Sequence, residues 1–79
     1  MNIREIKFNL KNFIFDYMTY ETIGCDEDCE DLLEEFKELY NNASYPLKLS
    51  ITEYLKKYEE VYSRSELKNH IELITLSPK

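Results

Sequence analysis

The sequence predicts an all-α fold, a compact three- or four-helix array, and three observations carry that prediction. Apolar residues recur at helical spacing through most of the chain, one Gly and two Pro in 79 residues leave room for few tight turns, and the segments between periodic stretches are short enough to make successive helices neighbours. A hydrophobic share of 43% beside a charged share of 33% is that of a globular chain rather than a disordered one. Residues 1–79 should form one small acidic domain, near the size at which a single core supplies only roughly 3–5 kcal/mol.

The first helix is expected over roughly 3–21. Ile3, Ile6, Leu10, Phe13, Ile14 and Tyr17 share one arc of a helical wheel with Tyr20 at its edge, Asn2 and Glu5 have the spacing of an N-cap and its N3 carboxylate, and Gly24 stands where a left-handed residue closes a helix. Phe8, Phe15 and Met18 then form a second apolar ridge, flanked by Arg4 and Lys11, that either packs on the C-terminal segment or awaits a partner. A competing α+β reading pairs an N-terminal hairpin, in which Ile6, Phe8 and Leu10 alternate with polar residues, with a C-terminal strand over the β-branched Ile71–Leu76.

The second helix, roughly 26–41, has the clearest pattern. Cys29, Leu32, Leu33, Phe36, Leu39 and Tyr40 make a dry face, and Glu27, Glu30, Asp31, Glu34 and Glu38 an acidic outer rail. Asp26, Glu27 and Asp28 occupy the first turn, where carboxylates meet the positive end of the helix dipole. Pro46 marks a connector over 41–46, because it disfavours a helical Tyr45. The third helix is expected over 51–62, from the Ser50–Glu53 capping box and a Leu49–Tyr54 staple, with Ile51, Tyr54, Leu55, Tyr58, Val61 and Tyr62 on one face. Beyond Tyr62 the apolar arc jumps, so the chain should restart near Ser63, where Ser63 and Glu66 offer a second capping box for a helix over 64–75.

The net charge of −6 is regional rather than spread. Residues 21–42 hold nine acids against Lys37 alone, a net −8, while the segments on either side are each +1. Such a charge excludes direct nucleic-acid binding, which draws on clustered Lys and Arg. No apolar run is long enough to span a membrane and no signal peptide is apparent, so a cytoplasmic protein with two reduced cysteines is expected.

Catalytic and cofactor signatures are lacking. Cys25 and Cys29, one helical turn apart, are not a C-x-x-C pair, and a structural zinc site needs four ligands, so they are read as ordinary thiols, Cys29 in the core and Cys25 partly exposed. His70 is a lone histidine without a nucleophile, and the abundant carboxylates look solvated, whereas a catalytic dyad needs one desolvated. No enzyme, metal or cofactor is therefore expected. The concentration of acid exceeds what solubility needs, and the rail steps by about 5–6 Å per turn, near the phosphate repeat of a nucleic-acid strand. The expected trade is that of a non-enzymatic protein-binding module, a stoichiometric inhibitor. Its rail would block a basic surface of a nucleic-acid-processing enzyme, with Phe8, Phe15, Tyr54 and Tyr58 as anchors. By analogy alone, phage-encoded inhibitors and toxin immunity proteins have this make-up. Two other readings stand beside it: a homodimer or assembly subunit closing its core with the Phe8, Phe15 and Met18 ridge, and a thiol-based redox or metal sensor.

Overall fold

The computed structural model describes residues 3–76, and among these it contains five helices and no strand: α1 (Ile3–Ile23), α2 (Asp26–Asn41), α3 (Tyr45–Lys56), α4 (Glu59–Tyr62) and α5 (Glu66–Leu76). The fold is all-α, so the α+β alternative is set aside on both counts. The residues that would have made the hairpin lie inside α1, and 71–76 are helical. In each case the 3.6-residue period of the buried set prevails over local β propensity, because it lets Ile6, Leu10, Phe13, Ile14 and Tyr17 of α1, and Leu67 and Ile71 of α5, enter one core. Asn2 and residues 77–79 lie outside the described residues.

α1 is the longest element, and α2, α3 and α5 pack against it. Phe13 stacks on Phe36 of α2, with ring centroids 5.0 Å apart and planes 11° from parallel. Phe15 meets Tyr58, beyond the end of α3, edge to face at 6.1 Å. Phe13 and Phe15 are about 200° apart around the helix, so α2 and the α3 segment lie on opposite flanks of α1. Tyr17 turns its ring toward His70 of α5 at 6.4 Å. At the centre of the core Ile6, Leu10, Ile14, Ile51, Leu55 and Leu67 are each at most 2% exposed. Among the described residues, no buried side-chain nitrogen or oxygen lacks a hydrogen-bond partner.

The α1–α2 corner closes as the sequence suggests. Gly24 has φ +80°, its N–H donates to the Glu21 carbonyl at 3.2 Å, and the Cys25 N–H donates to the Tyr20 carbonyl at 2.8 Å. This pair of bonds is a Schellman closure, and the left-handed residue within it favours glycine.

The second half of the chain departs from expectation in three places. The third helix begins at Tyr45 rather than Ile51, with Ser44 extended as its N-cap (φ −68°, ψ 164°) and Pro46 in the first turn. A proline there forfeits nothing, since the first four N–H groups have no partner within the helix, so the residue taken for a break opens the helix instead. Ser50 and Glu53 consequently fall in the helix interior, and Leu49, proposed for a staple, is 49% exposed. The helix then ends at Lys56, six residues short of the expected 62: the Lys57 and Tyr58 N–H groups tighten to the Tyr54 and Leu55 carbonyls, and α4 is a separate single turn. The break lets Tyr62 turn inward, its hydroxyl donating to the Leu55 carbonyl at 3.1 Å, and leaves Val61 41% exposed.

Finally, the Ser63–Glu66 capping box does not form, and Ser63 Oγ donates to the Glu60 carbonyl. α5 starts at Glu66 and is capped from two directions. Ser65 Oγ accepts the Leu67 N–H at 3.0 Å, while the Glu21 carboxylate, at the end of α1, accepts Ser65 Oγ at 2.7 Å and the Glu66 N–H at 3.2 Å. A side chain 45 residues away in sequence thus satisfies one of the orphan donors of the last helix.

Two substitutions separate these contributions. Glu21→Ala should cost about 1–2 kcal/mol in urea unfolding, the usual value of a cap, with helix content retained. Phe36→Ala should cost about 3–5 kcal/mol, as much as a chain of this size has, so its circular dichroism at 25 °C should be largely that of an unfolded chain.

Candidate functional site

The dry face of α2 fixes where its charge points. Cys29 and Phe36 are buried, and Leu32, Leu33, Leu39 and Tyr40 pack against the core as partly buried residues. Opposite them, Glu27, Glu30, Asp31, Glu34 and Glu38 are all exposed, as are Asp26, Asp28 and Glu35. Among the described residues, one ion pair lies on this face, Lys37 Nζ to Glu34 Oε2 at 3.6 Å, between side chains that are 50% and 72% exposed. An exposed pair of this kind contributes little and leaves the rail overwhelmingly negative.

The structure gives this rail an apolar margin that the sequence did not reveal. Between α2 and α5 runs an open groove of about 670 Å³ with Glu30, Asp31, Glu34 and Lys37 on one wall, Leu33 and Ile74 along it, and His70 and Leu73 on the other wall. Leu73 is 72% exposed. Only the docking of α5 on α2 brings it beside the acids, and in the linear sequence its single signal is that it stands off the Leu67–Ile71–Ile74 arc.

The four aromatic anchors expected from the sequence are elsewhere. Phe15, Tyr54 and Tyr58 come together on the α3 flank of α1, where the Tyr54 and Tyr58 rings lie 5.4 Å apart with hydroxyls 3.3 Å apart, and Lys7 Nζ sits 5.8 Å from the centre of the Tyr54 ring. Phe8, on the same side of α1, is 64% exposed. Met18, the third member of that ridge, packs against the core. The structure therefore divides the sequence-derived site residues into two groups: five acids on the outer face of α2, and four aromatics on the opposite flank of α1.

The cysteines occupy different environments. Cys29 is buried with its thiol 3.9 Å from the Tyr17 carbonyl, and burial, reinforced by the carboxylates of Glu21 and Asp26, raises its pKa. Cys25 is half-buried in the turn before α2. Among the described residues, no group of three or more His, Cys, Asp or Glu side chains is placed to hold a metal ion, and no helix is long and apolar enough to cross a membrane. No family model, curated protein or solved structure matches this chain.

Burial, with the charges of Cys29, Glu21 and Glu66 behind it, lifts the Tyr17 hydroxyl from 10.0 to about 12, and the hydrogen bond with Tyr58 does the same for Tyr54. Both folded values lie above the unfolded one. Their contribution is thus complete below pH 10 and lost as pH rises from 10 to about 12. The denaturation midpoint should fall through that window, and less so in Tyr17→Phe. Alkylation at neutral pH should modify Cys25 readily and Cys29 only on unfolding, because the thiolate is the reacting form and burial opposes it.

Proposed function

We propose that the chain is a stoichiometric, non-enzymatic binding protein whose acidic α2 face docks on a basic surface of a partner protein, one that otherwise holds DNA or RNA. The reading is carried by a single observation: five carboxylates along the exposed side of one helix, answered among the described residues by Lys37 alone on that face. Acids alone keep a helix soluble, but an uncompensated row of one sign on a single face also costs self-repulsion. The row becomes useful when a foreign cationic channel meets it, since complementary fields accelerate encounter and fix register. The groove between α2 and α5 adds to this reading. Leu73 and Leu33 offer the apolar contact from which most binding energy is drawn, beside charges that select the partner, so Leu73 replaces Phe8, Phe15, Tyr54 and Tyr58 as the anchor for this face. Phage-encoded inhibitors and toxin immunity proteins are the classes in which such a trade would be looked for.

The test is capture of partners by the wild-type chain and by Glu30→Lys/Glu34→Lys/Glu38→Lys, whose helicity is checked first. A partner of the proposed kind is retained by the wild type and released by salt or by added nucleic acid. Like-charge contact costs several kcal/mol, so the reversed chain should bind it about two orders of magnitude more weakly or worse. Partners held equally by both chains, or not displaced by nucleic acid, would contradict the proposal.

A further inference from the structure

The α3 flank of α1 carries three cations, opposite in sign to the α2 rail. Arg4, Lys7 and Lys11 fall within about 60° of the helical wheel, next to Phe8 and Phe15, and no acid of α1 shares that arc. Of the acids of α1, Glu5 lies about 60° beyond Phe8, Asp16 lies on the other flank, lining the α1–α2 groove, and Glu21 is engaged with the start of α5. The two exposed phenylalanines, 64% and 43% accessible, thus sit among cations. The spacing of those cations matches the rail. Arg4, Lys7 and Lys11 are separated by three and four residues, and so are Asp31, Glu34 and Glu38; read in the opposite direction, the same steps fit Glu27, Asp31 and Glu34. Each row covers about 10.5 Å of helix.

From this complementarity we infer that the occupant of the α1 face is a second copy of this chain: Arg4, Lys7 and Lys11 of one molecule meet the α2 rail of the next, and Phe8 enters the groove between α2 and α5 beside Leu73. The two faces point away from each other on one molecule, so they cannot satisfy one another internally. The contact is head to tail rather than two-fold, so a dimer keeps one free face of each sign, one on each copy. The inference does not rest on the foreign partner proposed above, but it uses the same rail. Self-association would cover the rail until a partner with a stronger basic surface displaces the neighbour.

Sedimentation velocity of the full chain at about 0.01 M salt, where fields reach about 30 Å, and at about 1 M, where they reach about 3 Å, tests it. Wild type should show an average mass of at least a dimer at low salt and a monomer at high salt. Arg4→Glu/Lys7→Glu/Lys11→Glu and Asp31→Lys/Glu34→Lys/Glu38→Lys should each be monomeric alone and form a complex when mixed. Phe8→Gln, at a side chain whose exposure makes it safe for folding, should weaken self-association about tenfold or more at an unchanged melting temperature. The inference is overturned by a monomeric wild type at low salt, by association that strengthens with salt as a two-fold contact between like faces would, or by association that survives reversal of the rail. It is equally overturned if the wild type stays monomeric and its α1 face instead binds a single-stranded oligonucleotide. None of these outcomes would affect capture of a foreign partner by the rail, so the two proposals fail separately.

Discussion

The stack of Phe13 on Phe36, with ring centroids 5.0 Å apart and planes 11° from parallel, decides where the charges of this molecule end up. It locks the rotation of α2 about its own axis, and once Phe36 faces α1 every residue half a turn away faces solvent. Those residues are the acids. Phe13 also sets the rotation of α1: with Phe13 on α2, Phe15 must point to the other flank, where it meets Tyr58, and Arg4, Lys7, Lys11 and Phe8 go with it. One aromatic contact thus converts a regional charge imbalance in the sequence into two faces of opposite sign in space.

Such an arrangement asks much of a small core. Carboxylates crowded on one helix repel each other, and the single ion pair on that face among the described residues returns little. The compensations are local and identifiable. The first-turn acids Asp26, Glu27 and Asp28 lie at the favourable end of the helix dipole, the core holds no buried polar side chain among the described residues, and Glu21 ties the end of α1 to the start of α5.

What could be read from the sequence follows from which contacts are local. α1, α2 and the Gly24 corner were legible because periodicity and a left-handed residue are properties of adjacent positions. The start of α3 was not, because Pro46 is compatible both with breaking a helix and with opening one, and the Ser50–Glu53 pair has the spacing of a cap without being one. The true cap of α5 joins Ser65 to Glu21 across 44 residues, a distance that no local pattern encodes. The candidate site divides in the same way. The rail was visible as a pattern on α2, but the separation of Phe8, Phe15, Tyr54 and Tyr58 from it, and the arrival of Leu73 beside it, depend on which flank of α1 each helix takes.

That choice of flanks is the central claim, and a nuclear Overhauser spectrum of the aromatic side chains measures it most directly. The account predicts ring-to-ring cross-peaks between Phe13 and Phe36 and, separately, between Phe15 and Tyr58, with none from Phe8 or Phe15 to Phe36. Cross-peaks joining Phe15 to Phe36 would place α2 on the cationic flank of α1, and absence of a Phe13–Phe36 cross-peak would remove the contact that sets the flanks; either result would contradict it.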